Sequence, residues 1–192
     1  FSEPQPLTGL LVLPFWFFSD SPPGVYNSAI LICLFLNGVF GYRLGRALQG
    51  SPIFALLGGM LLVGLPYTAK LLGVLPLIPV FGMLWALEGF VRFGEDGSWR
   101  MACWTGAGLL VQVLTSQQLA LLFSLFILPA GLIAIWRQGF TAMAWGRLGS
   151  MGVIVILLTG WYAWYPIQLH ESLAFIRSEN VVAALSARPS DY

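Results

Sequence analysis

Residues 24–42 read GVYNSAILICLFLNGVFGY, nineteen positions without a charged side chain. A helix of about 20 mostly apolar residues is long enough to cross the hydrocarbon core of a bilayer. A bilayer admits only helices or closed barrels, and this stretch lacks the apolar and polar alternation of a barrel strand. It is therefore predicted to be a transmembrane helix.

The rest of the chain has the same character. Of its 192 residues, 58% are apolar, and only 9 Lys or Arg and 8 Asp or Glu are charged. A soluble chain of this length would carry about 48 charged residues at the average share. The composition excludes a soluble globular protein, and a net charge of +1 gives no strongly basic field for nucleic acid. The predicted fold class is all-α, a polytopic transmembrane helical bundle.

Charged or Pro/Gly-rich breaks divide the chain into about six candidate spans. They cover residues 24–42, 52–67, 72–91, 100–114, 118–136 and 148–165. The apolar run 7–18 is too short to cross a bilayer and contains Pro14, so it is predicted to be an interfacial or re-entrant helix. The predicted organisation is thus the end of an outer loop with this short helix at 1–23, a six-span region at 24–165, and the start of a following outer loop or domain at 166–192.

The distribution of cations predicts the orientation. Six of the nine lie in alternate loops: Arg43, Arg46, Arg92, Arg100, Arg137 and Arg147. The positive-inside rule places these loops in the cytoplasm and both ends of the segment outside it. Because the chain opens with Phe1 and lacks the basic flank of a signal peptide, we expect an internal segment of a longer protein.

Glu88 is the one carboxylate well inside a predicted span. An acid within a membrane is a functional candidate by default. Arg92 follows four residues later, a spacing that brings two side chains together on a helix. The favoured interpretation is a structural ion pair.

The apolar segments carry several further patterns. Frequent glycines predict close helix packing. Trp85, Trp99, Trp104, Trp136, Trp145, Trp161 and Trp164 lie mostly near span ends and are predicted to be interfacial anchors. Cys33 and Cys103 are predicted to be small buried apolar residues rather than a disulfide or metal site. Pro66, Pro76 and Pro79 surround Lys70 in one outward hairpin and predict a broken helix there.

Charged residues accumulate in the segments predicted to face outward. They are Glu3, Asp20, Lys70, His170, Glu171, Arg177, Glu179, Arg188 and Asp191. If these loops converge, a carboxylate can act as a general base on a hydroxyl group while cations stabilise a phosphate leaving group. The alternative is that these charges are simply solvated, with Lys70 contacting anionic lipid headgroups.

Four short motifs are similar to those of a known family: Phe1-Ser2-Glu3-Pro4, Pro6-Leu7-Thr8-Gly9, Tyr26-Asn27 and Arg43-Leu44-Gly45-Arg46. They resemble bacterial polytopic proteins related to the GT-C class of membrane glycosyltransferases. In that group an acidic first outer loop leads into a short, Pro-interrupted helix and then a span that ends in an Arg-rich cytoplasmic turn. The closing Ile176-Arg177-Ser178 likewise resembles the start of the group's large outer region.

The resemblance implies transfer of a sugar from a polyprenyl-phosphate donor on the outer face of the bacterial inner membrane. It implies Glu3 as a catalytic base, with the family's main catalytic acid earlier in the longer chain. Charge and position make Lys70 and Arg177 the candidate contacts to the donor phosphate. The expected partners are membrane lipids and the lipid-linked donor; no cofactor motif is evident, and a divalent metal ion stays open.

Two other functions fit the same sequence. One is a transporter or flippase of lipid-linked glycans, whose Gly- and Pro-interrupted spans move during alternating access. The other is a non-catalytic membrane scaffold subunit. The sequence has no phosphate-binding Gly-rich loop, nucleophile elbow or zinc-ligand spacing, so ATP hydrolysis, serine hydrolysis and metalloprotease activity have no support.

Overall fold

The computed structural model describes residues 5–17, 21–64, 74–125 and 142–173; of residues 161 and 163–173 it describes the backbone alone. Within these ranges the secondary structure is helical and contains no strand. The chain divides into two compact units, Phe1–Thr159 and Gly160–Tyr192. The second unit is described only as the end of a helix, and all contacts below belong to the first.

Seven helical segments follow one another in the described ranges. They are α1 (Pro6–Trp16), α2 (Pro22–Ala47), α3 (Pro52–Gly64), α4 (Phe81–Asp96), α5 (Trp99–Thr115), α6 (117–125) and α7 (Ala142–Leu173). A short 3-10 turn, Leu75–Leu77, precedes α4. The all-α prediction is confirmed for this part of the chain.

Local sequence signals explain where the helices begin and end. The first three helices begin at a proline, whose missing N–H and fixed φ suit the first turn. The Ser98 hydroxyl accepts a hydrogen bond from the Met101 N–H at 3.3 Å and caps the start of α5. Gly97, at φ 59°, ends α4 in the left-handed conformation that glycine adopts without steric cost. The short turn between α4 and α5 makes these two helices antiparallel neighbours.

The predicted spans agree with the helices in most of the described chain. α2 contains 24–42, α5 contains 100–114 and α7 contains 148–165. The span predicted at 72–91 corresponds to Leu75–Asp96, which is long and apolar enough to cross a membrane. It opens with the 3-10 turn, and α4 begins at Phe81. Residues 72 and 73 lie outside the described residues. The far end of the span predicted at 118–136 lies outside the described residues.

Three segments are long and apolar enough to cross a membrane: Pro22–Ala47, Leu75–Asp96 and Ala142–Gly160. Pro6–Trp16 and Pro52–Gly64 are shorter apolar helices, as expected for the first of them. α3 and α7 also leave large apolar side chains exposed, among them Phe54, Leu61, Ile156 and Leu157. Apolar surfaces on several helices suit a lipid environment. The structure supports a membrane-embedded helical protein, and the count of six spans remains a prediction.

The core forms where α2, α4 and α5 meet, with α3 against α2 and α1 against α2 and α5. Small residues allow the close approach. A Cβ added to Gly59 would lie 2.6 Å from the Gly38 carbonyl oxygen, and one added to Gly108 would collide with the Ala86 backbone. The predicted role of glycine in helix packing is confirmed at these positions.

Other glycines in the predicted spans have open space around them. A Cβ added to Gly58, Gly146, Gly149 or Gly152 meets no heavy atom of the described chain within 4 Å. At these four positions the packing role stays a prediction, since no neighbour among the described residues tests it. Sequence alone does not separate the two groups, because a contact needs a facing helix as well as a small residue.

Candidate functional site

A buried carboxylate lies between two arginines where α2 and α4 approach their C-terminal ends. Glu88 of α4 has a fully buried side chain. Arg43 of α2 donates from Nε to Oε2 at 2.8 Å and from Nη2 to Oε1 at 3.0 Å. Arg92 brings its Nη2 to 3.1 Å from Oε1. The predicted Glu88–Arg92 ion pair is confirmed, and Arg43 is a second and better aligned partner.

The bidentate contact with Arg43 explains how the bundle tolerates a buried charge. An ionised carboxylate removed from water is costly unless it is paired and hydrogen-bonded. The parallel hydrogen bonds from one guanidinium supply this compensation with a fixed geometry. Arg43 and Arg92 themselves remain partly exposed, with 40% and 45% of their side-chain surface accessible.

Two aromatic rings lie close to the guanidinium of Arg43. Its guanidinium carbon lies 5.5 Å from the Phe40 ring centroid and 5.2 Å from that of Trp104. Trp85 packs against both rings, at 5.0 Å from Phe40 and 4.7 Å from Trp104. These distances allow cation–π attraction. Trp85 and Trp104, predicted to be interfacial anchors, both belong to this packed group; whether they lie at an interface stays a prediction.

Further arginines lie in the same part of the first unit, which we call the arginine end: the C-terminal turns of α2 and α4, the start of α5 and the start of α7. Arg46 donates to the Gly50 carbonyl at 3.0 Å and Arg147 to the Gly97 carbonyl at 2.7 Å. Both contacts satisfy carbonyl groups of the connecting turns. Arg100 is exposed at the first turn of α5.

A second group of polar residues holds the segment just before α4. We call residues 74–80 the interrupted segment, because the backbone there is not α-helical. The Asn37 side chain of α2 donates from Nδ2 to the Ile78 carbonyl at 2.8 Å and accepts from the Val80 N–H at 3.0 Å. Asn37 is buried. One amide thus satisfies a donor and an acceptor of the interrupted backbone.

Gln112 of α5 also binds a donor and an acceptor of this part of the backbone. Its Nε2 donates to the Pro79 carbonyl at 3.0 Å, and its Oε1 accepts from the Met83 N–H in the first turn of α4 at 3.0 Å. The side chain is fully buried. Non-helical backbone at membrane depth is tolerated only where protein or water satisfies its polar groups. The broken helix predicted from the prolines is confirmed for the interrupted segment, and two amides supply the hydrogen bonds it needs.

Some polar atoms near these groups have no such partner. Within the described chain, no hydrogen bond reaches the buried Gln5 Oε1, Thr8 Oγ1, Trp85 Nε1 or Gln117 Nε2. The hydroxyl of Thr8 belongs to α1, which packs against α2 and α5. A buried polar group of this kind is an exception in native proteins and marks a place where water or a ligand is favoured.

The cysteines fit the apolar interpretation in part. Both are free; Cys33 is buried among apolar side chains of α2, the interrupted segment and α4. Cys103 is only half-buried, and its Sγ lies 3.8 Å from the Met151 Sδ. Across the described residues, no three His, Cys, Asp or Glu side chains come together as a metal site would require.

The residues predicted to carry the chemistry are not among those whose side chains the structure describes. Glu3, Lys70 and Arg177 lie outside the described residues, as does Asp20. His170 and Glu171 belong to α7, but their side chains are not described. The predicted outward cavity is therefore still a prediction.

Sequence reasoning missed Arg43, Asn37 and Gln112. The sequence predicts only a cytoplasmic position for Arg43, because its partner Glu88 is 45 residues away on another helix. Asn37 and Gln112 did carry a signal, since each is an isolated amide in an apolar stretch, and an amide buried in a membrane needs a partner.

Comparison with models of known families, with curated proteins and with solved structures gives no match. The resemblance to GT-C glycosyltransferases thus remains a prediction from short motifs.

Proposed function

We propose that this chain is part of a bacterial inner-membrane glycosyltransferase of the GT-C type, which transfers a sugar from a polyprenyl-phosphate donor on the outer face. In this proposal the six spans are those predicted from the sequence, and both ends of the segment are extracytoplasmic. The observation that supports the proposal best is the interrupted segment, which lies at the opposite end of α4 from Arg92.

The interrupted segment is a built feature of the bundle. Asn37 and Gln112 approach it from two helices and satisfy its backbone where a continuous helix would satisfy its own. If the arginine end faces the cytoplasm, as the positive-inside rule predicts, the interrupted segment lies on the side of the outer leaflet. A non-helical segment at that depth suits a protein that admits a lipid-linked substrate from the outer leaflet.

The proposed reaction is an inverting displacement at the anomeric carbon. The Glu3 carboxylate takes the proton of the acceptor hydroxyl, the hydroxyl oxygen bonds to the anomeric carbon, and the bond from that carbon to the donor phosphate breaks. Polyprenyl phosphate leaves. Lys70, which precedes the interrupted segment by four residues, and Arg177 stabilise the negative charge on the leaving phosphate.

Membrane vesicles that contain the complete gene product provide the test. Polyprenyl-phosphate donors with a radiolabelled hexose or pentose are added, and transfer to lipid and protein fractions is followed. We expect Glu3→Gln and Lys70→Ala each to lower transfer at least about tenfold, a typical loss for a general base or an electrostatic contact. Glu95→Gln and Arg100→Ala, which make the same charge changes at the arginine end, should leave transfer unchanged. Full transfer by both Glu3→Gln and Lys70→Ala would refute the assigned roles.

A transporter or flippase is the second candidate, and the interrupted segment favours it as well. Discontinuous helices near the bilayer midplane are typical of transporter substrate sites. The same vesicles distinguish the two functions. Movement of labelled polyprenyl-phosphate sugar across the bilayer without a new glycosidic product would indicate the flippase, whereas a new product indicates the transferase. If the vesicles show neither glycosyl transfer nor translocation, the scaffold subunit is the remaining candidate.

A further inference from the structure

The charge at the Glu88 site is not balanced. One guanidinium would neutralise the carboxylate, and Arg43 already does so through two hydrogen bonds. Arg92 contacts the same carboxylate through one nitrogen. In the described part of the chain, no carboxylate other than Glu88 lies within 4 Å of either arginine. The group of three therefore keeps one positive charge.

Most N–H groups of the two arginines are not used by Glu88. A guanidinium has five N–H donors. Arg43 donates two of them to the carboxylate, and Arg92 approaches it with one terminal nitrogen. Both side chains remain 40–45% exposed. The pair thus presents unused, charged donors at its accessible side.

The contacts to Glu88 restrain both guanidiniums before anything binds, Arg43 more strongly than Arg92. Arg43 is held by the carboxylate and by the rings of Phe40 and Trp104. Arg92 shares the same carboxylate. A side chain ordered in this way loses little entropy when it binds a ligand. Two guanidiniums around one anchor are suited to a group with several acceptor oxygens, and phosphate is the common one.

The depth of the site points to a lipid. Arg43 lies four residues before the end of α2, and Arg92 four residues before the end of α4. At 1.5 Å per residue both backbones are about 6 Å inside the helix ends. If α2 spans the bilayer, this is the level where acyl chains give way to headgroups. Basic pockets between transmembrane helices at that level bind anionic headgroups.

We propose that Arg43 and Arg92, anchored by Glu88, bind the phosphate headgroup of an anionic phospholipid at the arginine end. One phosphodiester carries a single negative charge, which neutralises the remaining positive charge of the three residues. The lipid chains lie along the apolar helix surfaces. This site does not depend on glycosyl transfer.

Native mass spectrometry of the purified full chain in a neutral detergent tests the proposal. Phosphatidylglycerol and phosphatidylcholine with identical acyl chains are added at equal concentration. We expect at least about tenfold more phosphatidylglycerol than phosphatidylcholine to stay bound, equivalent to about 1.4 kcal/mol. Arg92→Gln should reduce this ratio toward one. It leaves the bidentate Arg43–Glu88 contact intact, so the bundle should stay folded, which circular dichroism checks.

Two controls make the result specific. Arg100→Gln removes the same charge from an exposed position of the same end, and it should retain the preference for phosphatidylglycerol. Inorganic phosphate at millimolar concentration should not displace the lipid, because it lacks the chains. Equal retention by Arg92→Gln and the unaltered chain, or equal loss with Arg100→Gln, would overturn the site. Complete displacement by inorganic phosphate would overturn the lipid as its ligand.

Discussion

Helices α2, α4 and α5 are joined at two levels, and the two levels use different chemistry. At the interrupted segment, Asn37 and Gln112 join α2 and α5 to backbone groups beside α4. At the arginine end, Arg43 joins α2 to a carboxylate of α4. Six residues separate Asn37 from Arg43, or about 9 Å along α2.

The choice between neutral amides and charged side chains follows the degree of burial at each level. The amides are fully or almost fully buried and carry no charge, as suits the apolar interior. The charged group places its carboxylate inside and leaves its arginines partly exposed. Neutral hydrogen bonds therefore stabilise the fully buried level at the start of α4, and an ion pair stabilises the partly exposed level at the arginine end. Substitutions at each level should differ in their cost.

Arg43→Ala should have the largest effect. It leaves the buried Glu88 with only the contact to Arg92, and breaking a buried pair costs about 3 kcal/mol or more. The free energy of unfolding, measured in mixed micelles with increasing sodium dodecyl sulfate, should fall by about this amount. Arg100→Ala, a charge removed from an exposed position, should change it by less than about 0.5 kcal/mol. Similar values for the two variants would mean that Glu88 does not need Arg43.

Gly108→Ala tests the helix contact between the two levels. The added methyl would collide with the Ala86 backbone, so α4 and α5 must separate. Overpacking of this kind costs about 2 kcal/mol. Gly58→Ala, where the described chain leaves space, should instead raise the free energy of unfolding by up to about 1 kcal/mol through its helix propensity. Equal changes in the two variants would contradict the close contact.

Gln112→Leu removes half of the support of the interrupted segment. The Pro79 carbonyl and the Met83 N–H lose their partner while the apolar volume is roughly kept. The cost should be about 1–2 kcal/mol, since an unsatisfied buried group costs that much and hydrogen bonds in membranes are of similar size. Asn27→Leu, an exposed amide on α2, is the matched control. A cost no larger than that of the control would mean that water replaces the amide.

Arg92→Gln should have the smallest effect on folding. Its contact to Glu88 is single and its side chain is 45% exposed, so the loss should be about 0.5–1 kcal/mol. High salt should reduce the difference between this variant and the unaltered chain, because an exposed pair is screened. A loss as large as that of Arg43→Ala would mean that the two arginines stabilise Glu88 equally.

The two levels also mark how far the sequence could predict the structure. Hydropathy located α2 and α5, and the four-residue spacing located the pair of Glu88 with Arg92, because these are local properties of one helix. Hydropathy also located the segment Leu75–Asp96, and the prolines predicted a break in its helix, but neither pattern shows that α4 begins only at Phe81. Arg43 was assigned by its loop position alone, because its partner lies 45 residues away.

The functional residues were harder to predict for a different reason. Glu3, Lys70 and Arg177 were chosen for charge and predicted orientation, and they lie outside the described residues. Contacts of Asn37 and Gln112 depend on three helices meeting, which no local pattern encodes. What a single sequence does show is that an amide in an apolar stretch needs a partner.

The interrupted segment has a consequence for synthesis of the protein. Asn37 precedes it in the chain and Gln112 follows it by more than 30 residues. Until α5 has been synthesised, the Pro79 carbonyl and the Met83 N–H lack the side chain that binds them in the folded protein. We therefore expect α4 to reach its final position only after α5 has entered the membrane.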